Sequence, residues 1–404
     1  MIVVSLAPTG SSGHWQESVA GADAGQTSKG VAMQRFLAAA VVAVALTACD
    51  SARPTAITDV PGANATRAVT PAAPTVIASG LEYPRGFVFG RDGAIYVAEA
   101  GTPQGNETST VGQCPQIPPP VGPSHGGFTS RVSRITMAGE RTTVVDHLPS
   151  ARNNFGDIEG AADITFDEHR MYVLIVAGCA HGHANEPSSV IRVRENGRWE
   201  MVADLSKWIK AHPTAHPEPD DFEPDGDWYN MAAKGNVLYL VEANQGNLVV
   251  VKPEDHQIRR VADVSATENG HFVPTGLSID HDDLLVGELT PFPSVPGSAN
   301  VIRYERNGHV ESRLHGFTAI TGVANDRHGN VYVLESFTCP SATPCFPSPG
   351  SGTIVRVRRD GTRDVIATGF SFPTAIRMGP DGALYVANFS YGPPGMGQIL
   401  RVAL

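Results

Sequence analysis

The strongest constraint on this chain is a sentence it writes twice, once near each end. VIASGLEYPRGFVFGRDGAIYVAEA starts at Val76 and VIATGFSFPTAIRMGPDGALYVANF at Val365, and about half of the paired positions are identical. The shared skeleton is a short apolar segment after Pro, a polar turn, and a second apolar segment carrying Tyr-Val. Weaker copies lie between: GAADITFDEHRMYVLIV from Gly160, WYNMAAKGNVLYLVEA from Trp228, VPTGLSIDHDDLLVGEL from Val273 and AITGVANDRHGNVYVLES from Ala319. After each of the first five copies come two more alternating runs, such as GNLVVVK with QIRRVADV. Alternation of apolar and polar residues makes strands with two distinct faces, and RDG, PDG and KGN are turn chemistry.

Each unit therefore reads as four antiparallel strands. One such sheet cannot bury both faces alone, so repetition predicts a propeller. The sixth copy has a third strand, GQILRVA, and then the chain ends. Its fourth strand is expected to be TVIASG, near Val76. The duplicated sentence then marks the junction where the ring closes and pairs strand edges that would otherwise stay open. The prediction is an all-β, six-bladed β-propeller of four-stranded antiparallel blades over 75–404, closed by an N-terminal strand completing the last blade. Segments 101–129 and 206–227 are Pro-rich and polar, lack alternation, and are read as loops.

Composition agrees: 42 Gly and 31 Pro with 7 % aromatics favour short strands joined by turns. The net charge of -11, with no Lys/Arg run, leaves no footprint for nucleic acid. The apolar run Phe36 to Ala48 follows Lys29 and Arg35 and is shorter than the roughly 20 residues of a membrane span, so it reads as a secretory signal. It ends in LTAC, which resembles the bacterial lipoprotein signal and makes Cys49 the expected lipidated residue. The expected organisation is 1–32 upstream of a true start at Met33, 33–48 signal, 49–74 flexible linker, and 75–404 propeller. The expected location is the cell envelope, outside the cytoplasm, with the lipid anchor in a membrane. Of the other cysteines, Cys339 and Cys345 close a small loop and are expected to pair, which leaves Cys114 for Cys179. Free thiols are the alternative.

SGLEYPRGFVFGRDGAIYVAEAG, VPTGLSIDHDDLLVGELTPFP and SFPTAIRMGPDGALYVANF resemble the ScyD/ScyE family, over about Thr75 to Leu404. More distantly the chain is similar to propellers of the NHL, gluconolactonase and strictosidine-synthase type. The resemblance implies a six-bladed propeller outside the cytoplasm. It brings no agreed catalytic residues.

In a four-stranded blade the end of strand two and the start of strand one lie at one end of the tunnel. The insertions 101–128, 177–188, 291–298 and 337–351, with the crossing 206–227, are therefore placed on one loop-rich face, where function concentrates. Strand two ends at Glu99, Ile175, Glu242, Glu288, Glu335 and Asn388 in the six blades. These rim acids and amide either bond backbone N–H groups of their own loops or share a cation. The strand-one slot of Gly86, Gly276, Gly322 and Ala375 holds Asp163 and Asn230 in the second and third blades. Gluconolactonase-like propellers place Asp, Asn and Glu oxygens around an axial metal, often calcium. The resemblance thus makes Asp163, Asn230, Glu242 and Glu99 candidate ligands for calcium, a hard cation suited to oxygen. Such a metal would polarise a lactone or ester carbonyl. The plainer reading has Asp163 and Asn230 bonding backbone at the tunnel mouth.

Two histidine pairs, His181 with His183 and His212 with His216, are alternative zinc or copper ligands, with His125 on the first-blade loop. Loop histidines are more often solvated. Asp220, Asp221, Glu223, Asp225 and Asp227 form an acidic crossing, expected to be solvated, with weak calcium binding as the sharper reading. No nucleotide loop, GxSxG elbow or HExxH is present. The main functional expectation is a propeller that binds a small molecule or protein on its loop-rich face without chemistry. The alternative is a metal-dependent hydrolase or lactonase. A structural role in an envelope assembly is a third.

Overall fold

Ring closure occurs where the repeated sentence places it. In the computed structural model the strand Thr75–Leu81 runs antiparallel to Gly397–Val402, with Val76 opposite Leu400 and Ala78 opposite Ile399. The structure describes residues 71–404 except 104–106, 218, 220–221 and 268–271. The upstream segment, the signal, Cys49, the linker up to 70, Asp220 and Asp221 lie outside the described residues. Ala72, assigned to the linker, already donates its N–H to Ile366 O at 2.8 Å, so the body begins slightly earlier than expected.

Six antiparallel sheets form the blades. Their first strands are Pro84–Phe89, Ala161–Asp167, Trp228–Lys234, Val273–Asp280, Ile320–Asn325 and Ala375–Met378, and each touches the next around the axis. Five sheets have four strands. The first has a fifth, Ile158–Glu159, added to Arg141–Arg152 where the chain crosses to the second blade.

The repeated sentence has a local reason. In DG-A-x-Y, Asp92 Oδ1 accepts the Ala94 N–H at 3.2 Å, and Asp381 Oδ1 that of Ala383 at 3.2 Å. Gly93 and Gly382 take φ of 75° and 77°, the left-handed region that glycine fills at least cost. The Tyr96 and Tyr385 hydroxyls donate back to Asp92 and Asp381. Each turn is therefore tied through its own aspartate to the strand that follows it.

Apolar faces pack between neighbouring blades. Val241, Leu248 and Tyr229 of the third blade meet Leu277, Val286, Ile302 and Tyr304 of the fourth, all buried. Each such side chain contributes about 1.5–3 kcal/mol on burial. Both expected disulfides, Cys114–Cys179 and Cys339–Cys345, are formed. The crossing 206–227, read as loop, contains an unexpected helix, Leu205–Ala211, capped by Asp204 on the Lys207 N–H and burying Trp208 and Ile209.

Candidate functional site at the tunnel mouth

Four of the rim residues do the structural task. Glu99 accepts the Glu82 N–H at 2.7 Å, Glu335 that of Thr318 at 2.7 Å, and Asn388 Oδ1 that of Ser371 at 2.8 Å. Glu242 accepts N–H groups of Asp227, Asn244 and Gln245 and the Asn247 amide, at 2.9–3.2 Å. In each case the acid or amide ties the end of strand two to the segment entering or leaving its own blade. Glu99 is further held by Arg141 at 2.6 Å. Glu288 differs, bonding the Asn300 backbone and side chain at 3.1 Å. Burial pushes the Glu242 carboxyl up to about 7 despite these donors.

Asp163 and Asn230 do meet on the axis, but around an arginine. Arg377 Nη2, from the first strand of the sixth blade, lies 2.8 Å from Asp163 Oδ2 and 3.1 Å from Asn230 Oδ1. The Met231 and Ile164 N–H groups, each at 2.8 Å, engage both Asp163 oxygens. Asp163 is fully buried, and burial raises its proton affinity against the pull of Arg377. A Cβ on Gly86 would sit 2.0 Å from Asp163 Oδ1, so glycine there is required by this close approach. Glu99 and Glu242 take their partners elsewhere. The four expected ligands are not gathered about one point, and the guanidinium takes the place of an axial cation. The Asp163 and Asn230 oxygens are instead engaged by Arg377 and by the Met231 and Ile164 N–H groups.

Arg377 carries a signal that was there to be read. Two places after the strand-one slot the other blades have Val88, Thr165, Ala232, Ser278 and Ala324. A lone cation among small residues in an axial slot needs an anion across the bore.

A second group, missed as a unit, lies on the loop-rich face. Glu159, His181 and Glu223 are buried, and one ligand atom from each falls within 4.8 Å of the others. His181 Nδ1 is 2.7 Å from Glu159 Oε2 and its Nε2 is 3.6 Å from Glu223 Oε2. Burial opposes a proton on His181, but Glu159 more than offsets this and raises its affinity. The same pair works the other way on Glu159, where burial is outweighed by His181 and the proton affinity falls. Asp157, Asp225 and Asp227 surround them, each about 1 % exposed. Burial, then the Glu159 charge, pushes Asp227 up to about 6. Among the described residues the cations in ion pairs with these five carboxylates include Arg85, His181 and Lys210. Arg85 also lies 5.4 Å over the Tyr229 ring.

The acidic crossing thus turns inward at Glu223, Asp225 and Asp227, contrary to its expected solvation. The histidine pairs separate. His181 is fully buried, while His183 reaches Ser150 O at 2.8 Å and packs edge-on to Phe128. His212 stacks on Trp208, and His216 is exposed. His125 is half-buried. Beside Arg85 and Tyr229 opens a narrow pocket, whose apolar wall includes Leu289, Phe292, Phe372 and Tyr391.

No protein-family profile matches the sequence, and no curated protein matches it significantly. Among solved structures, the chain is similar to an oxidoreductase (glucose dehydrogenase) from Thermus thermophilus, with 16 % identity, 82 % of this chain and 100 % of that one covered, and a TM-score of 0.50. It is also similar to the calcium-binding protein regucalcin of Agrobacterium tumefaciens, at 12 % identity, 83 % and 94 % coverage and a TM-score of 0.49. A gluconolactonase of Xanthomonas campestris follows at 11 % identity, 82 % and 90 % coverage and a TM-score of 0.48. At 16 % identity the likeness to the first of these bears on the fold alone, and the six antiparallel sheets make this chain a six-bladed β-propeller.

Proposed function

We propose that this chain is a hydrolase of the gluconolactonase-like propeller type, opening a lactone or ester at the tunnel mouth with the help of a divalent cation. The observation that supports it is one place where an apolar pocket adjoins buried ionisable groups of displaced proton affinity. Ionisable groups so perturbed beside a cleft are candidates for a reaction or binding site. The pocket encloses only about 20 Å³, so it takes the edge of a small substrate rather than its body. Arg85, beside it, is held firmly charged: burial opposes its charge, but Asp157, Tyr229, Asp227 and Glu159 outweigh that. It offers its guanidinium to an acyl oxygen. Asp227, pushed up to about 6 by burial and close enough to act on Arg85, is the group we assign to accept a proton from water. A divalent cation held by the Glu159, His181 and Glu223 group would add Lewis acidity toward the carbonyl.

The finer ScyD/ScyE relationship, export and lipid anchoring at Cys49 are part of the same proposal. Support for export comes from the apolar leader in the sequence and from two disulfides, which persist in oxidising compartments.

The purified chain, offered a panel of lactones and esters with and without a chelator, tests the reading. Turnover that chelation removes and that Arg85→Ala lowers about 100-fold supports it. Absence of turnover across the panel, with small molecules still raising the melting temperature, would replace it with a binding propeller that does no chemistry.

A further inference from the structure

We propose that His181 Nε2 and Glu223 Oε2 bind a borderline divalent cation of the zinc or manganese class, with Glu159 steering the imidazole from its other nitrogen. The 3.6 Å between Nε2 and Oε2 is beyond ordinary N–H···O reach. It is the separation of two ligands each roughly 2.0–2.1 Å from one ion and about 120° apart. His181 has no exposed surface, and its Nε2 makes no hydrogen bond. A buried ring nitrogen left so costs free energy unless something binds it. Glu159 Oε2, 2.7 Å from Nδ1, stands where a carboxylate orients a metal-bound histidine. Asp227 Oδ1, also fully buried, is a second polar atom here without a hydrogen bond.

The supports are rigid. Glu159 belongs to the added strand of the first blade. His181 ends the turn Cys179–His181, which the Cys114–Cys179 bridge ties to the first-blade insertion. The Glu223 N–H is held by Asn244 Oδ1 at 2.9 Å and its carbonyl by the Gln245 amide at 3.1 Å. Mixed imidazole and carboxylate donors favour zinc, manganese or iron over calcium, which takes oxygen. The site thus departs from the axial oxygen-ligand arrangement, whose place here is filled by Arg377.

The inference rests on the cation-dependent reading above, but its test counts bound metal, not turnover, so the two fail separately. The purified chain is stripped with a chelator and titrated by calorimetry with zinc, manganese and calcium ions alone. About one equivalent of zinc or manganese is expected, with calcium at least about 10-fold weaker. Glu159→Gln should weaken binding about 10-fold and Glu223→Gln more, on the order of 100-fold. His181→Gln should do the same; if it fails to fold, the visible absorption of cobalt bound to the unmodified chain reports whether an imidazole ligates. Binding of neither metal, unchanged affinity in Glu223→Gln, or a preference for calcium would each overturn the site.

Discussion

Arg377 shows how one side chain settles the centre of the ring. Five blades present small residues in its slot, and the sixth sends a guanidinium across the bore to Asp163 and Asn230. Asp163 is fully buried, so removing its cation leaves a charge in a low-dielectric bore. Arg377→Leu should therefore cost about 3–5 kcal/mol in urea unfolding, and Arg377→Lys should recover part of it. Unchanged stability in Arg377→Leu would mean that the ion pair does not hold the axis together. The sequence showed Asp163 and Asn230 as odd among glycines, which was enough to place them on the axis. It did not show what they bind, because their partner lies 214 and 147 residues away in the sixth blade.

At the scale of elements, the loop-rich face is organised by the first-blade insertion. Thr108 Oγ1 donates to Gly182 O at 2.7 Å, and the Cys114–Cys179 bridge ties the same insertion to the turn that carries His181. The two bridges should differ in worth. Cys114–Cys179 spans 65 residues and Cys339–Cys345 only 6. By chain entropy, opening the first costs about 4 kcal/mol and the second about 2. Guanidinium unfolding of the Cys114→Ser/Cys179→Ser and Cys339→Ser/Cys345→Ser doubles measures both, and equal losses would count against the chain-entropy account. The helix Leu205–Ala211 was hidden in the sequence because seven residues give fewer than two turns of periodicity, and Pro-rich polar chain follows. Its burial of Trp208 and Ile209 beside Trp228 draws the following crossing inward, which is how its carboxylates reach His181.

For the whole molecule, closure is the organising event. Without Thr75–Leu81 the strand Gly397–Val402 would present an open edge. A chain starting at Pro84 should therefore associate in light scattering and melt earlier than the full chain; a monomer with unchanged melting would show that closure contributes little. The six blades, their strand order and the junction were all readable in the sequence. Strand alternation and Asp-Gly turns are local, and a repeated local pattern in a sheet that cannot bury itself admits few global solutions. The bridge partners were readable as well, because with Cys49 set aside four cysteines remain, and one short loop left one pairing. What the sequence did not determine is the chemistry of the mouth. Glu159, His181 and Glu223 come from a crossing, a turn and a second crossing, with no common spacing. Whether such residues are solvated or buried against one another depends on how three loops pack, and only the tertiary structure decides that, because burial and proximity are properties of the assembled ring rather than of any segment.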